Sequence, residues 1–293
     1  MASLVRFRAH DGYELVGSLH TPSAERHAAR VAVVHCGAGI PAERYERFAA
    51  FLAQAGVPTL TYDYRGIGRS RPADLRGFSA MMEDWAQYDC AAAIGWLRAR
   101  FPAADMTGIA HSIGCLLVGG ADNAAEQARL VLVGGHTGYY GDYRRRYRLQ
   151  MTLVWHILMP ALTHVVGYFP GRRLGLGDDI PARPALQWAR RRSPELRSSG
   201  TGSDGLRTRR LLDRCAALQR PALLVSIADD AFATASGNER LMGYYPALFP
   251  RTSVRFTPAD AGVRRIGHFG FFSRRTGPPL WPRLLAELDA FSR

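Results

Sequence analysis

Short apolar runs alternate with stretches of helical period along most of this chain, and that alternation restricts its fold more than any other feature. LVRFRAH and YELVGSLHTP flank the turn signal Asp11-Gly12, and VAVVHCG follows, apolar almost throughout as a strand buried on both faces must be. AERYERFAAFLAQAG carries helical spacing as far as Gly56. Next come the strand VPTLTYDYRG, a helix over 79–100, a strand over 105–110, a helix over 113–120 and the strand RLVLVGG over 129–135. Strands joined through helices need parallel crossovers, so the expected fold is α/β, a mostly parallel doubly wound sheet.

The alternation stops at His136 and resumes only near 208. The intervening region is aromatic, Arg-rich and broken by Pro and Gly, with helical stretches and no convincing strand. PALLVSIADD, a helix near 236–248, TSVRFTP and LWPRLLAELDAF then complete the pattern. The expected organisation is one sheet domain made of 1–136 and 208–293, with 137–207 inserted as a helical cap. A chain of 293 residues has room for this. Within the insert, MTLVWHILMPALTHVVGYF over 151–169 approaches membrane-spanning length, but His156, Pro160 and His164 interrupt it, and no stable span is expected.

A net charge of +13 raises nucleic acid as a partner. All 38 basic residues are arginine, however, a skew that codon usage in a GC-rich genome explains better than a binding surface does. The arginines are also spread along most of the chain, with runs only at Arg144, Arg145, Arg146 and Arg148 and at Arg190, Arg191 and Arg192. Nucleic-acid binding is not expected. Cys36, Cys90, Cys115 and Cys215 show no paired short spacing and read as small buried hydrophobes of a reducing compartment. The first stretch lacks the apolar core of a signal peptide, so the expected location is cytoplasmic. His156 and His164 are eight residues apart, which does not put two ligands on one helical face, and no metal is expected. The GxGxxG match over 200–205 has no strand before it and reads as flexible chain, so no nucleotide cofactor is expected either.

The chemistry concentrates around AHSIG, 110–114, at the turn from a short strand into a small-residue helix. A serine presented on a strained strand-to-helix turn needs small residues two before and two after it, and Ala110 and Gly114 supply them. Ser112 then needs a base, and the base needs an acid to fix its tautomer. In the chain order nucleophile, acid, base, Asp229 and Asp230 follow at the carboxyl end of ALLVSIA, where an open parallel sheet carries its ligands. Of nine histidines only His268, in the loop before the final helix, stands where that order places the base. Oxyanion donors would be the backbone N–H of Ile113, just after the serine, and one from the loop HCGAG, with Ala38 preferred and Gly37 second.

GAGIPAERYERFA, TYDYRGIGRSRP, AHSIG, ADDAFAT, IGHFGFF and the cap stretch GYFPGRRLGLGDDIP with LQW together resemble the α/β-hydrolase superfamily. The nearest groups are the monoglyceride-lipase-like and serine-aminopeptidase-like bacterial hydrolases. The resemblance covers nearly the whole chain and implies the α/β-hydrolase fold and a triad of Ser112, Asp230 and His268. It favours Asp230 because AFAT after it is similar to the run that follows the acid in that superfamily, leaving Asp229 to cap the turn. Asp63, Arg65 and Arg69, in the same resemblance, read as structural, and His111 as a packed core residue. The resemblance implies no particular substrate; the activity expected of such a triad is cleavage of a small to medium acyl ester or thioester through an acyl-enzyme, without a cofactor. Acyl transfer on the same triad, short-peptide hydrolysis and a non-catalytic ligand-binding protein are the alternatives. Apolar residues of the insert, Trp155 and Met159 among them, are expected to cover the site as a lid lining the acyl pocket, with a homodimer left open.

Overall fold

The computed structural model describes residues 1–22, 28–196 and 202–291. Its strands are β1 (Ala2–Arg8), β2 (Glu14–His20), β3 (Arg30–His35), β4 (Thr59–Tyr62), β5 (Asp105–His111), β6 (Arg129–Val133), β7 (Tyr168–Phe169), β8 (Ile180–Pro181), β9 (Ala222–Ile227) and β10 (Arg251–Phe256). Eight of them make one sheet in the order β1-β2-β4-β3-β5-β6-β9-β10. The pairs β1–β2 and β2–β4 are antiparallel and the remaining pairs in this sheet are parallel. Helices flank the sheet, so its central strands are apolar on both faces: Val31, Val33 and Val34 of β3 and Ile109 and Ala110 of β5 are buried. Phe48 and Phe51 of the helix Glu46–Gln54 meet Trp281 of the helix Trp281–Phe291, with ring centroids 5.5 and 5.6 Å apart.

The expected helix over 79–100 starts at Met82 and contains a π-helical segment, Trp85–Cys90, before Ala91–Arg100. From it the fully buried Asp89 accepts hydrogen bonds from the Arg65 backbone N–H (2.8 Å) and Nε (2.7 Å). Asp63 accepts from the N–H groups of Ala42 (2.7 Å) and Arg69 (3.0 Å). These contacts fix the β4 loop, which agrees with the structural reading of YDYRGIGRS.

After β6 the chain leaves the sheet. Arg145–Leu153, a π-helical turn at Val154–Leu158 and Met159–Val166 run on as a single helix. Pro160 has no N–H to offer the carbonyl of His156 four residues back, and its ring would crowd that carbonyl in a regular α-helix. The π turn relieves the crowding. Arg192 Nη2 donates to the freed His156 carbonyl at 2.9 Å, so part of the second arginine run answers a local backbone need. By length and composition this helix, Arg145–Val166, could cross a membrane, and only 17% of its most apolar window is covered by the protein. Its exposed side chains include Leu149, Leu153, Ile157 and Val165.

The insert also holds the antiparallel pair β7–β8, where the sequence shows no strand, because two residues per strand are too few for any alternation to be visible. The helix Ser203–Ala217 crosses the expected boundary at 207 without a break. It packs on the sheet domain: Leu211 is buried beside Gly120, and Cys215 Sγ donates to the Leu116 carbonyl at 3.4 Å. The GxGxxG match begins outside the described residues, and its last three positions open this helix.

Candidate active site

Ser112 stands between β5 and the short helix Gly114–Leu117 with φ at +58°, the sole positive φ of a non-glycine residue among those described. Left-handed backbone costs a residue with a Cβ about 1–2 kcal/mol, and such strain persists only where the surroundings impose it. Here the Ser112 N–H donates to the Val133 carbonyl (3.0 Å) and its own carbonyl accepts from Cys115 N–H (3.1 Å). The loop after β3 presses against the same turn. A Cβ on Gly114 would stand 2.6 Å from the Cys36 carbonyl oxygen and 2.7 Å from that of His35, so no larger residue fits two places after the serine.

Asp230, at the end of β9, and His268, in the loop before the last helix, meet this serine. Ser112 Oγ is 2.9 Å from His268 Nε2, and His268 Nδ1 is 2.7 Å from Asp230 Oδ2. Asp230 Oδ1 accepts the N–H groups of Phe232 (2.8 Å) and Ala233 (3.0 Å). Burial alone would raise the Asp230 carboxyl, but the imidazole beside it and these donors bring it down to about 2, so it is ionised at neutral pH. A carboxylate on Nδ1 puts the ring proton there and leaves Nε2 bare, able to take the serine proton. Asp229 does something other than the turn-capping expected of it. Its two oxygens accept the N–H groups of Ile266 and Gly267, each at 3.0 Å, and so hold the loop that carries His268.

His111 supports the same loop from below. Its Nε2 is 3.1 Å from the His268 carbonyl oxygen and its Nδ1 is 2.8 Å from Tyr45 Oη. Burial first, then the neighbouring His268, lowers His111 to about 3, so it stays neutral as expected of a core residue. Tyr45 Oη also accepts the Gly37 N–H at 2.9 Å. That donor is therefore committed, which separates Gly37 from Ala38 in the same loop. Ala38 lines the cavity over Ser112, and Ile113, fully buried, follows the serine directly.

Two contributors are not legible in the sequence. His136, three residues beyond β6, stands there only as the point where the alternation stops, yet its Nε2 lies 3.1 Å from Ser112 Oγ. Gly134, at φ +55°, permits this approach: it turns the chain off β6 where a Cβ would come within 3.3 Å of Asp230 Oδ2. Arg144, first of the arginine run, donates from Nε to the Asp230 carbonyl (3.0 Å) and from Nη2 to that of Ala228, tying the insert to the turn after β9. Nothing in its local sequence distinguishes it from the exposed arginines beside it.

Over Ser112 lies a cavity of about 60 Å³, with Trp155, Met159, Pro184 and Trp188 of the insert facing Ile40, Phe232 and Phe269 of the sheet domain. Both insert residues singled out in the sequence thus lie in its wall. Its polar lining is Ser112, His136 and His268. Among the described residues no group of three or more His, Cys, Asp or Glu side chains could hold a metal ion, and the four cysteines are free and buried.

The family model for serine aminopeptidase, S33, matches residues 25–247, a span that includes Ser112 and Asp230 and ends before His268. No curated protein matches the sequence. Among solved structures, the chain is similar to an esterase domain from Rhodothermus marinus at 18% identity and a TM-score of 0.59, covering 99% of this chain and 98% of that one. An esterase from Pyrococcus furiosus aligns at 15% identity and a TM-score of 0.60 over 100% of this chain and 91% of that one. A monoacylglycerol lipase from Paleococcus ferrophilus aligns at 16% identity and a TM-score of 0.56 over 94% and 99%. At such identities these likenesses speak for the fold, the mostly parallel sheet flanked by helices described above. The match over most of the chain decides the family: this chain belongs to the S33 serine aminopeptidase family and is a serine hydrolase of the α/β-hydrolase fold.

Proposed function

We propose that this enzyme hydrolyses a small acyl ester or thioester through an acyl-enzyme on Ser112, with His268 as base and Asp230 as the acid that orients it. The observation that carries this is the relay of contacts: Asp230 Oδ2 to His268 Nδ1 at 2.7 Å and His268 Nε2 to Ser112 Oγ at 2.9 Å, on a serine held at positive φ. In the first half-reaction the serine proton passes to Nε2 as Oγ bonds the acyl carbon, and the leaving oxygen or sulfur then takes that proton. Water repeats the sequence in the second half, and Oγ recovers its proton. Ala38 and Ile113 supply the N–H pair for the tetrahedral oxyanion, each donor contributing on the order of 10²–10³ in rate.

The insert acts as a lid, and the cavity beneath it limits the acyl group. A water needs roughly 10–15 Å³ by the same measure, so 60 Å³ admits only a few heavy atoms while the insert stays closed. The apolar walls favour an uncharged, short acyl chain. A fluorophosphonate probe tests the reading, since only an activated serine reacts: labelling should map to Ser112 and vanish in Ser112→Ala, which should also lose turnover by about a million-fold. Labelling elsewhere, or turnover surviving that substitution, would sink it. A p-nitrophenyl ester series should then peak at short chains.

A further inference from the structure

A second histidine touches the reacting oxygen, and its tautomer follows from its neighbours. Gly138 N–H donates to His136 Nδ1 at 3.0 Å, so Nδ1 is bare and the proton of the neutral ring sits on Nε2, the atom 3.1 Å from Ser112 Oγ. Burial drives His136 well below the ordinary histidine range, so the ring does not take a second proton. Aromatic rings hold it in place: Phe232 stacks on it, with centroids 6.4 Å apart, and Trp188 meets it edge-on at 5.8 Å. Asn238 Nδ2, donating to the Gly135 carbonyl at 2.7 Å, steadies the backbone just before it.

We propose that His136 is a further catalytic residue, a neutral donor whose Nε2–H binds Ser112 Oγ and stabilises the charge that develops there. The two histidines then divide the serine hydroxyl between them. Oγ–H points at the bare Nε2 of His268, and a lone pair of Oγ accepts from His136. A base role for His136 is excluded by that tautomer, since the nitrogen facing the serine already carries hydrogen.

The donor acts when negative charge is on Oγ. As the proton leaves for His268 and the bond to the acyl carbon begins, the contact becomes a charge-assisted hydrogen bond and strengthens. In the tetrahedral intermediate Oγ is an ether oxygen and the contact weakens. When the deacylation intermediate collapses, the C–Oγ bond breaks, its electron pair returns to Oγ, and His268 hands back the proton; His136 again meets an oxygen with growing charge. His136 gains and loses no proton at any step. A contact present at rest but stronger in these transition states raises kcat and leaves substrate binding alone.

The proposal rests on Ser112 being the nucleophile, and the test separates the two. His136→Phe keeps a ring of similar size and removes the donor. His136→Gln restores it, because an amide oxygen can accept from Gly138 N–H while its NH₂ donates to Oγ, in the 1,3 relation of the two imidazole nitrogens. With a short-chain p-nitrophenyl ester, His136→Phe should lower kcat by about 10²–10³ with KM within threefold, as loss of one oxyanion-type donor does, and His136→Gln should recover at least tenfold of the loss. The second-order rate of fluorophosphonate labelling should follow the same order. Wild-type activity in His136→Phe, with Ser112→Ala inactive, overturns the donor role and leaves the nucleophile standing. Equal losses in the two variants, accompanied by equal falls in melting temperature, reduce His136 to packing and overturn it as well. Residual turnover in His268→Ala that disappears in the double variant His268→Ala/His136→Phe would make His136 a base and overturn the donor assignment.

Discussion

Asp229 grips the backbone of Gly267, one residue before the histidine whose ring Asp230 grips, so two adjacent carboxylates position one loop in two different ways. The difference is measurable. Asp230→Asn turns an amide toward His268 and offers it the wrong hydrogen-bond partner, so kcat should fall by about 10⁴ with little change in fold, as it does when a triad acid loses its charge. Asp229→Asn keeps one acceptor for the loop and sets an NH₂ against the other N–H. Its expected cost is about tenfold in kcat/KM with a lower melting temperature. Similar losses in the two variants would show that the acid has been assigned to the wrong member of the pair.

The pH dependence should show one proton and no more. Three histidines crowd Ser112, with His111 and His136 ring centroids 4.9 and 5.2 Å from that of His268. Burial lowers both neighbours, His111 to about 3 and His136 further in the same direction, so neither gains a charge in the working range. Neither therefore adds a second proton to the pH dependence of the rate. The acid limb of kcat/KM should therefore rise with unit slope and level off, and His136→Phe should keep that shape. A slope of two on the acid limb would mean that a second histidine ionises and would remove the basis for treating His136 as a neutral donor.

Alternation of apolar runs was enough to find the sheet, because β3, β5 and β6 are buried on both faces and leave an uninterrupted signature. Ser112 and His268 were legible because their positions in the chain order, with small residues on either side of the serine, follow from the geometry of the turn. His136 was not. Its place against Oγ depends on Gly134 turning the chain back under Asp230 and on a single N–H from Gly138, and neither contact leaves a pattern in the residues around it. The arginine runs were hard to read for a related reason. Arg144 and Arg192 serve individual backbone carbonyls, those of Asp230 and His156, and a cation used to satisfy a carbonyl looks in sequence like any surface charge.

Arg65 and Asp89 should matter for stability and not for chemistry. Both side chains are almost fully buried, their contact ties the β4 loop to the π-helical segment, and Asp11 shares the guanidinium at its outer edge (3.1 Å from Nη2 to Oδ1). Arg65→Met leaves Asp89 buried without its cation, which typically costs about 3–5 kcal/mol. Burial already pushes the Asp89 carboxyl up, against the lowering effect of Arg65, and removing Arg65 raises it further. A carboxyl raised in the folded state binds more protons there than in the unfolded chain, so the deficit is present above its folded value and shrinks as pH falls through it. Urea denaturation should show the gap from wild type narrowing as pH falls from the alkaline side to about 7, the wild-type value of Asp89, and holding steady below it. Activity per probe-reactive serine should be unchanged, and a loss confined to that quantity would place the pair in the catalytic machinery.

The long helix of the insert presents two apolar faces with separate fates. Leu149, Leu153, Ile157 and Val165 are exposed, whereas Trp155 and Met159 turn inward to the cavity over Ser112. If the inner face sets acyl length, trimming it should lengthen the preferred chain. Trp155→Ala removes a large indole from the wall of the cavity of about 60 Å³, so kcat/KM for octanoyl over acetyl esters should rise several-fold while probe labelling of Ser112 persists. Met159→Ala should shift the ratio the same way with a greater loss of stability, because Met159 is fully buried and a buried Met→Ala typically costs about 2–5 kcal/mol. A third variant, Leu153→Ala on the outer face, should change neither quantity. Stability falling in both inner variants with an unchanged octanoyl-to-acetyl ratio would mean that these side chains only pack the insert against the sheet domain, and that acyl length is read elsewhere.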